Sequence, residues 1–400
     1  MTALGAEPQP VLPGGRSSRR VPGPLRVAMV GVSEGPICGV RDYSAVVSRA
    51  LEGRGGAEVM TCWLDRAPGA GLAASRREVR SWAARLEGWL GEGRPEVVLL
   101  HYSVFAYSYR GVPLLLAPVL GALRRSGVPV VALLHELAYP WGRRGARGLA
   151  WALTQRAALP LVLRLSSEVV VTTEDRLAWL GRRRWIAPVP AHFLPVPSNV
   201  DPGEGGQAGS GEEGVVGVFG YAPEGMRADL MVEAAARLGA SGRPVRLRLV
   251  GAPGPGSGAA REWERLAAAA GVEVELTGVL DGRGLSAALR RCPVMVWADG
   301  SGPTSRRTTL AALLAHARAV VALDGPATWG GLREAGAVEL VPPDASLLAA
   351  SVGRLLAGEE ERAAYGERAA CFYRSAMAPE VVAAGLERVL RATARQGAAT

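Results

Sequence analysis

The stretch from Pro293 to Asp324, PVMVWADGSGPTSRRTTLAALLAHARAVVALD, carries the pattern that decides the fold of this chain. It reads as an apolar strand, a polar turn with two adjacent arginines, a helix that begins at Thr308, and a second apolar strand. The first N–H groups of such a helix have no intrahelical acceptors, and together with the helix dipole they bind anions. Arg306 and Arg307 precede them with guanidinium forks that suit a phosphate. The stretch therefore predicts a diphosphate-binding turn, and the alternative is an ordinary β–α–β unit with a solvated arginine pair.

Short apolar runs of the same kind recur along the chain. They are residues 25–31, 57–63, 96–102, 129–135 and 168–173, and then 215–220, 245–251, 272–278, 293–298, 319–324 and 337–342. Continuous apolar runs are typical of parallel strands that are buried on both faces. Helical patterns such as Asp42–Leu51 and Ala73–Leu90 alternate with them. We expect an α/β protein with two doubly wound, Rossmann-like domains that face each other across a cleft.

A polar, glycine-rich segment separates the two series of strands. Residues 203–213, GEGGQAGSGEE, predict a flexible linker between a first domain at 25–202 and a second domain at 214–378. Residues 1–24 are rich in Pro, Gly and Arg and have no apolar core, so we expect a disordered tail without a signal peptide.

The composition narrows the class of protein. A chain of 400 residues with 48% hydrophobic residues fits two globular domains. All 46 basic residues are arginine and they are spread along the chain, so the net charge of +9 indicates a basic surface and no nucleic-acid partner. Cys38, Cys62, Cys292 and Cys371 lack the spacing of a zinc site and predict reduced thiols in a cytoplasmic protein. No run of 18 apolar residues predicts a transmembrane helix.

Polar residues follow three predicted strands of the first domain. After the first strand, Gly39 allows a close approach to a sugar phosphate because it lacks a Cβ atom, and the loop is not the GxGxxG pattern of nicotinamide-binding proteins. His101 and His135 end two further strands, and ligands bind at the carboxyl ends of such strands. His135 is predicted to hold a substrate hydroxyl or phosphate, whereas His101 has the alternative of a hydrogen-bonded structural histidine.

Taken together, these segments resemble the retaining nucleotide-sugar glycosyltransferases of the GT-B fold, specifically glycosyltransferase family 4. The resemblance covers roughly residues 25–395 and includes CGVRDYSAVVSRAL (38–51), VVALLHE (130–136), GVFGYAPEGMRADLMVEAAARL (217–238) and TGVLDGRGLSAALRRCPVMVWAD (277–299). It implies that the second domain holds the nucleoside diphosphate of a sugar donor and that the first holds the acceptor. It also implies that the last helix, Pro379–Thr393, crosses back onto the first domain.

The chain departs from the family pattern at two turns. The family's two glutamates, eight residues apart, fall on Thr304 and Ala312, and its Arg and Lys fall near Tyr221 and Met226, next to Arg227. Some members of the family instead carry an Arg-Arg-Ser/Thr-Leu turn, and SRRTTL (305–310) is similar to theirs.

The resemblance also implies roles for individual residues. Arg307 and Arg227 would neutralise the departing diphosphate without a metal or other cofactor, and His135 would contact the donor sugar or the acceptor hydroxyl. Donor contacts are expected from Gly39, Gly220, Asp299, Gly300, Arg306, Thr308 and Thr309. Acceptor contacts are expected from Asp42, Tyr43, His101, Glu136, Tyr107 and Trp141.

The predicted function is the transfer, with retention, of a sugar from a nucleoside-diphosphate sugar to a small-molecule or glycan acceptor, for example in bacterial secondary metabolism. One alternative is a glycosyltransferase at the inner face of the membrane with a lipid-linked or cell-wall acceptor. In this alternative the basic stretch 141–164, with Trp141 and Trp151, would contact anionic lipid. The other interpretation of this stretch is a core helix whose arginines are solvated. The second alternative is a non-catalytic GT-B protein that binds a nucleotide sugar.

Overall fold

The computed structural model describes residues 23–398 apart from 36, 37, 184, 185, 187, 204–210, 223 and 224. Most of the predicted tail, and residues 204–210 of the predicted linker, lie outside these described residues. The described chain contains two six-stranded sheets with helices around them.

The first sheet is entirely parallel and has the strand order β2-β1-β3-β4-β5-β6. Its strands are β1 (Leu25–Glu34), β2 (Ala57–Arg66), β3 (Val97–Tyr102), β4 (Val130–Leu134), β5 (Glu168–Val171) and β6 (Ala191–Phe193). Its helices are α1 (Gly39–Gly53), α2 (Leu72–Gly93), α3 (Leu116–Ser126), α4 (Gly145–Leu165) and α5 (Glu174–Gly181). Every residue of β3, β4 and β5 is buried, which explains their continuous apolar sequence.

The second sheet is also parallel, with the order β12-β11-β10-β7-β8-β9. Its strands are β7 (Val215–Phe219), β8 (Arg246–Val250), β9 (Glu273–Leu276), β10 (Val294–Trp297), β11 (Ala319–Leu323) and β12 (Glu339–Val341). The helices are α6 (Ala228–Ala240), α7 (Gly258–Ala270), α8 (Gly282–Arg290), α9 (Thr308–Ala315), α10 (Gly330–Glu334), α11 (Ala345–Ala357) and α12 (Glu359–Phe372). The expectation of two doubly wound α/β domains is confirmed.

The end of the chain connects the two halves of the molecule. Helix α12 packs against β11 and α9 of the second half, and a π-helical turn, Tyr373–Met377, leads into α13 (Pro379–Ala398). Helix α13 packs against α1, β3 and β4, where Val382, Leu386 and Leu390 are buried. The last helix therefore belongs to the core of the first half, because its apolar face is covered there.

Each sheet has one point where the strand order reverses. In the first sheet this point lies between β1 and β3, and in the second it lies between β7 and β10. The helices that follow such a pair of strands leave toward opposite faces of the sheet and open a crevice at the carboxyl ends. The two crevices face each other in this structure and share one cavity, which is described below.

Within the described part of the chain, no helix is both long enough and apolar enough to cross a lipid bilayer.

Candidate functional site

A cavity of about 320 Å³ lies where the carboxyl ends of the two sheets meet. We call it the inter-domain cavity. The first half lines it with Cys38, Gly39, Val40, Tyr43, Ser103, His135, Glu136, Thr172 and Val196, and the second half with Arg306, Arg307, Thr308 and Thr309. One side of the cleft is closed by Ser305, whose Oγ donates to the Thr172 carbonyl at 2.8 Å and whose own carbonyl accepts from Val196 N at 2.8 Å.

Two helices begin at this cavity, one from each half of the molecule. Helix α9 begins at Thr308 after Arg307, and helix α1 begins at Gly39 after Cys38; neither preceding residue makes a side-chain capping hydrogen bond. The first N–H groups of both helices therefore keep their donors for a ligand, and both positive dipole ends favour an anion. A Cβ atom on Gly39 would meet no atom of any described residue within 4 Å, and Gly39 lines the cavity.

Two guanidinium groups line the cavity beside these helix starts, and a third lies close to them. Arg306 makes no hydrogen bond or ion pair with any described residue, and solvent reaches it through the open cleft. Arg307 contacts Asp299 loosely, with 3.4 Å between Nη2 and Oδ2. Arg176 joins them from the first turn of α5, where burial and the nearby charge of Arg306 lower its pKa to about 10.

Burial also lowers the pKa of Arg306, and the charge of Arg307 adds to this effect. Like charges that are held together in this way repel one another, and an anion between them would remove the repulsion. The geometry and the charge of the site therefore favour a polyanionic ligand.

Two histidines lie next to each other at the inter-domain cavity. His135 lines the cavity, and His101 lies behind it. Nδ1 of His101 and Nε2 of His135 are 3.1 Å apart, and the ring of Tyr43 meets both imidazoles edge-on. Burial lowers the pKa of His101 to about 3, and it lowers the pKa of His135 well below its ordinary value, so both rings are neutral at pH 7.

The hydrogen bond between the rings fixes their tautomers. Nε2 of His101 is buried and has no partner among the described residues, so we assign it as the unprotonated nitrogen. His101 then donates from Nδ1 to His135 Nε2. This arrangement leaves the Nδ1–H group of His135, which lines the inter-domain cavity, to donate to a ligand.

The remaining predicted donor residues, Gly220, Asp299 and Gly300, are outside the lining of the inter-domain cavity, although Asp299 and Gly220 lie next to the start of α9. Asp299 is buried, accepts from the backbone and the hydroxyl of Ser301, and orients Arg307. Gly220 ends β7 with a φ of +71°, and a Cβ atom there would lie 3.0 Å from Thr309 Cγ2. The turn therefore brings β7 close to α9 only because residue 220 is glycine.

Arg227 lies outside the lining of the inter-domain cavity. Its guanidinium pairs with Asp229 at 2.6 Å, and its aliphatic part lies beside Gly300. Arg176 is also outside that lining, but it lies close to Arg306 in the wall of a second cavity that is described below. The sequence carried a signal for it, since EVVVTTEDR (168–176) is also a strand followed directly by a helix start.

Three predicted acceptor residues also lie away from this cavity. Tyr107 is buried in the core, where its hydroxyl donates to the His101 carbonyl at 3.0 Å. Asp42 is exposed in the first turn of α1. Trp141 is exposed, with the guanidinium of Arg156 stacked 4.2 Å from the centre of its ring. Tyr43 and Glu136, by contrast, line the cavity, and His101 lies directly behind His135.

Comparison with known proteins shows likeness in structure and not in sequence. No model of a known protein family and no curated protein sequence matches the chain. Sucrose-phosphate synthase from Thermosynechococcus elongatus is similar, with a TM-score of 0.67 and 15% identity over 94% of this chain and 100% of that one. A glycosyltransferase from Rickettsia africae has a TM-score of 0.68 and 11% identity over 92% and 98%. Anabaena HepE in complex with UDP and glucose has a TM-score of 0.65 and 14% identity over 92% and 100%.

These similar structures have the same arrangement of two facing Rossmann-like domains, and their likeness extends over nearly the whole of this chain. The chain therefore has the GT-B fold.

Proposed function

We propose that this protein is a retaining glycosyltransferase that takes a sugar from a nucleoside-diphosphate donor in the inter-domain cavity. One observation carries the proposal. The uncapped starts of α1 and α9, from opposite halves of a GT-B fold, meet at one cavity together with Arg306 and Arg307. A diphosphate matches this combination of backbone N–H groups and guanidinium forks in charge and in shape.

The cationic groups would act on the leaving group. When the bond between the sugar C1 and the diphosphate oxygen breaks, the electron pair stays with the diphosphate. Donors that are already aimed at that position stabilise the developing charge more than they stabilise the ground state. Arg306, Arg307 and the first N–H groups of α9 fill this role in our proposal, which invokes no metal ion.

His135 would position the reacting groups. As a neutral ring held by His101, it offers a single N–H donor to a hydroxyl of the donor sugar or of the acceptor. The acceptor hydroxyl forms the new bond to C1, and its proton passes to an oxygen of the departing diphosphate. Attack from the face that the leaving group occupied, and hence retention, follows from the family resemblance.

The donor nucleotide is best sought with UDP first. Anabaena HepE, which is similar to this chain in structure, was solved with UDP and with UDP-glucose. Thermal-shift measurements with UDP, GDP, ADP, dTDP and their sugars would identify the base and the sugar, because a ligand that binds only the folded protein raises its melting temperature.

Activity then tests the site. Arg307→Ala and His135→Ala should each lower turnover at least ~10-fold, the loss of about one charge-assisted or buried hydrogen bond in the transition state. Arg237→Ala removes an exposed arginine that pairs with Glu233 on α6, and it serves as the control. Full activity in both site variants would refute this placement of the site. Nucleotide binding without turnover in the native protein would favour the non-catalytic alternative.

A location at a membrane surface is supported by a separate observation. Helix α4 carries no acidic residue, and it exposes Leu149, Leu153 and Leu161 by 51%, 55% and 51%. Arginines flank these leucines, so this face matches an anionic lipid surface in both charge and apolar character. The observation favours the second candidate function, a peripheral glycosyltransferase with a lipid-linked acceptor.

A further inference from the structure

A second cavity, of about 530 Å³, adjoins the inter-domain cavity. Glu136 and Arg306 line both cavities, so a molecule in the second one reaches the first at this junction. Apart from Arg306, the wall of the second cavity comes from the first half of the molecule, mainly from the loops after β3 and β4 and from α4 and α5. A ligand here would therefore lie on the acceptor side of the cleft.

The wall of the second cavity carries an excess of positive charge. Four guanidinium groups line it, on Arg143, Arg156, Arg176 and Arg306, against the carboxylates of Glu136 and Asp175. Two of these arginines have donors left for a ligand. Among the described residues, Arg176 donates from Nη1 alone, to the His135 carbonyl at 2.6 Å and to Thr172 Oγ1 at 2.9 Å, and Arg306 makes no hydrogen bond.

The same wall has a rigid aromatic part. The rings of Phe105 and Tyr139 meet edge-on with 6.3 Å between their centres, and both pack against Trp151. Gln155 holds the loop in place by accepting from Tyr139 N at 2.7 Å and donating to the Gly111 carbonyl at 2.8 Å. The Tyr139 hydroxyl is buried with no partner among the described residues.

From these features we infer that the second cavity binds the acceptor, and that the acceptor is an anion, a carboxylate or a phosphate, attached to an apolar ring. The inference rests on the glycosyl transfer proposed above. The ring would pack against Phe105 and Tyr139, and the anionic group would face Arg143, Arg156 and Arg176. The hydroxyl that receives the sugar would then point toward the junction at Glu136.

The reaction at that junction balances without any further reactant. The acceptor oxygen forms a bond to the sugar C1, the bond from C1 to the diphosphate oxygen breaks, and the diphosphate keeps the electron pair. The acceptor proton moves to the diphosphate. The anionic group of the acceptor takes no part in bond making, so its contribution is to binding and position.

Matched probes test the charge preference directly. Isothermal titration would compare 6-hydroxy-2-naphthoate and 6-hydroxy-2-naphthyl phosphate with the neutral 6-hydroxy-2-naphthamide, with and without saturating UDP. We expect at least one anion to bind ~10-fold or more tightly than the amide, as expected for charge-assisted hydrogen bonds. The two anions distinguish a carboxylate site from a phosphate site.

Equal binding of the amide and of both anions, or no binding of any probe, would overturn the inference even if UDP binds. Failure of every nucleotide to bind would instead count against the proposed function. The titrations of the probes without nucleotide do not depend on nucleotide binding, so they test the second cavity separately. The two failures are thus distinguishable.

A variant locates the anionic group within the second cavity. Arg143→Gln should weaken binding of the preferred anion ~10-fold and leave the affinities for the amide and for UDP unchanged. Arg164→Gln removes the same charge from an exposed position in the last turn of α4, outside the wall, and should leave all three affinities unchanged. An equal loss in both variants would mean that the net charge attracts the anion and the cavity does not.

Discussion

His101 Nδ1 and His135 Nε2 lie 3.1 Å apart at the carboxyl ends of the adjacent strands β3 and β4. The planes of the two rings differ by only 18°, with 5.3 Å between the ring centres, and neither ring can take up a proton without placing a charge in a buried, already cationic region. The two rings therefore form a neutral, hydrogen-bonded pair in which His101 donates to His135 and His135 can donate to a ligand. His135 lines the inter-domain cavity, and His101 is held by strand β3 and by the buried Tyr107.

The buried histidines predict how stability depends on pH. Their pKa values are lower in the folded protein than in the unfolded chain, so below about pH 6.5 the unfolded chain binds more protons. The free energy of unfolding should consequently fall as the pH decreases from 6.5 toward the folded pKa of about 3 for His101, by up to about 1.4 kcal/mol per pH unit for each histidine.

Urea denaturation at pH 7.5 and pH 5.5 measures this dependence. His101→Gln should make it shallower. The same slope in the native protein and in His101→Gln would contradict the assignment of a neutral buried pair.

Arg176 lies in the wall of the second cavity, next to Arg306. Arg176→Gln removes its charge from this wall, and we expect the affinity for the preferred anionic naphthyl probe to fall ~10-fold, since a charge-assisted contact contributes about that much. Titration calorimetry with the probe measures the loss. Arg182→Gln, an exposed change at the end of the same helix, is the control. Unchanged affinity in Arg176→Gln would place the anionic group of the acceptor away from α5.

The fold was largely predictable because buried parallel strands have a distinctive local sequence. All eleven predicted strands are present, and β6 was missed because its three half-buried residues give no periodic pattern. The strand–turn–helix pattern around Arg306 predicted the start of α9 at Thr308. The same pattern predicted a functional turn with two arginines, and Arg306 and Arg307 of this turn line the inter-domain cavity.

The wider site was less predictable because its members meet only through tertiary packing. Ser103, Thr172 and Val196 carry no motif, and the sheet order alone brings them to one edge. In loops, no periodicity tells which side chain turns inward. For this reason Tyr107 was placed in the acceptor site although it is a core residue, and Arg227 was placed at the diphosphate although it lies outside the lining of the inter-domain cavity.

Gly39 provides a test of the inter-domain cavity that does not alter any charge. Gly39→Leu would place a side chain at the first turn of α1, where no atom of the described part of the chain lies within 4 Å of the new Cβ. We expect the melting temperature to change little and the affinity for the nucleoside diphosphate to fall at least ~10-fold, because the side chain occupies the ligand's volume.

Gly53→Leu is the matched control, since residue 53 lies at the other end of α1 and its new Cβ would likewise have no atom from residues that the structure describes within 4 Å. Thermal denaturation and titration calorimetry compare the two variants. Nucleotide affinity that survives in Gly39→Leu would show that the diphosphate does not approach α1.

The exposed leucines of α4 decide whether the protein works at a membrane. Vesicles of phosphatidylcholine with one third phosphatidylglycerol should bind the native protein at low salt in a flotation assay. The double change Leu149→Ser/Leu153→Ser should reduce that binding at least ~10-fold, because each leucine loses up to about 2 kcal/mol of apolar burial in the lipid interface. Leu347→Ser, on the exposed side of α11 in the second half, should leave it unchanged. If the native protein does not float with the vesicles, the exposed leucines of α4 do not bind a membrane. The acceptor would then be sought among water-soluble anions.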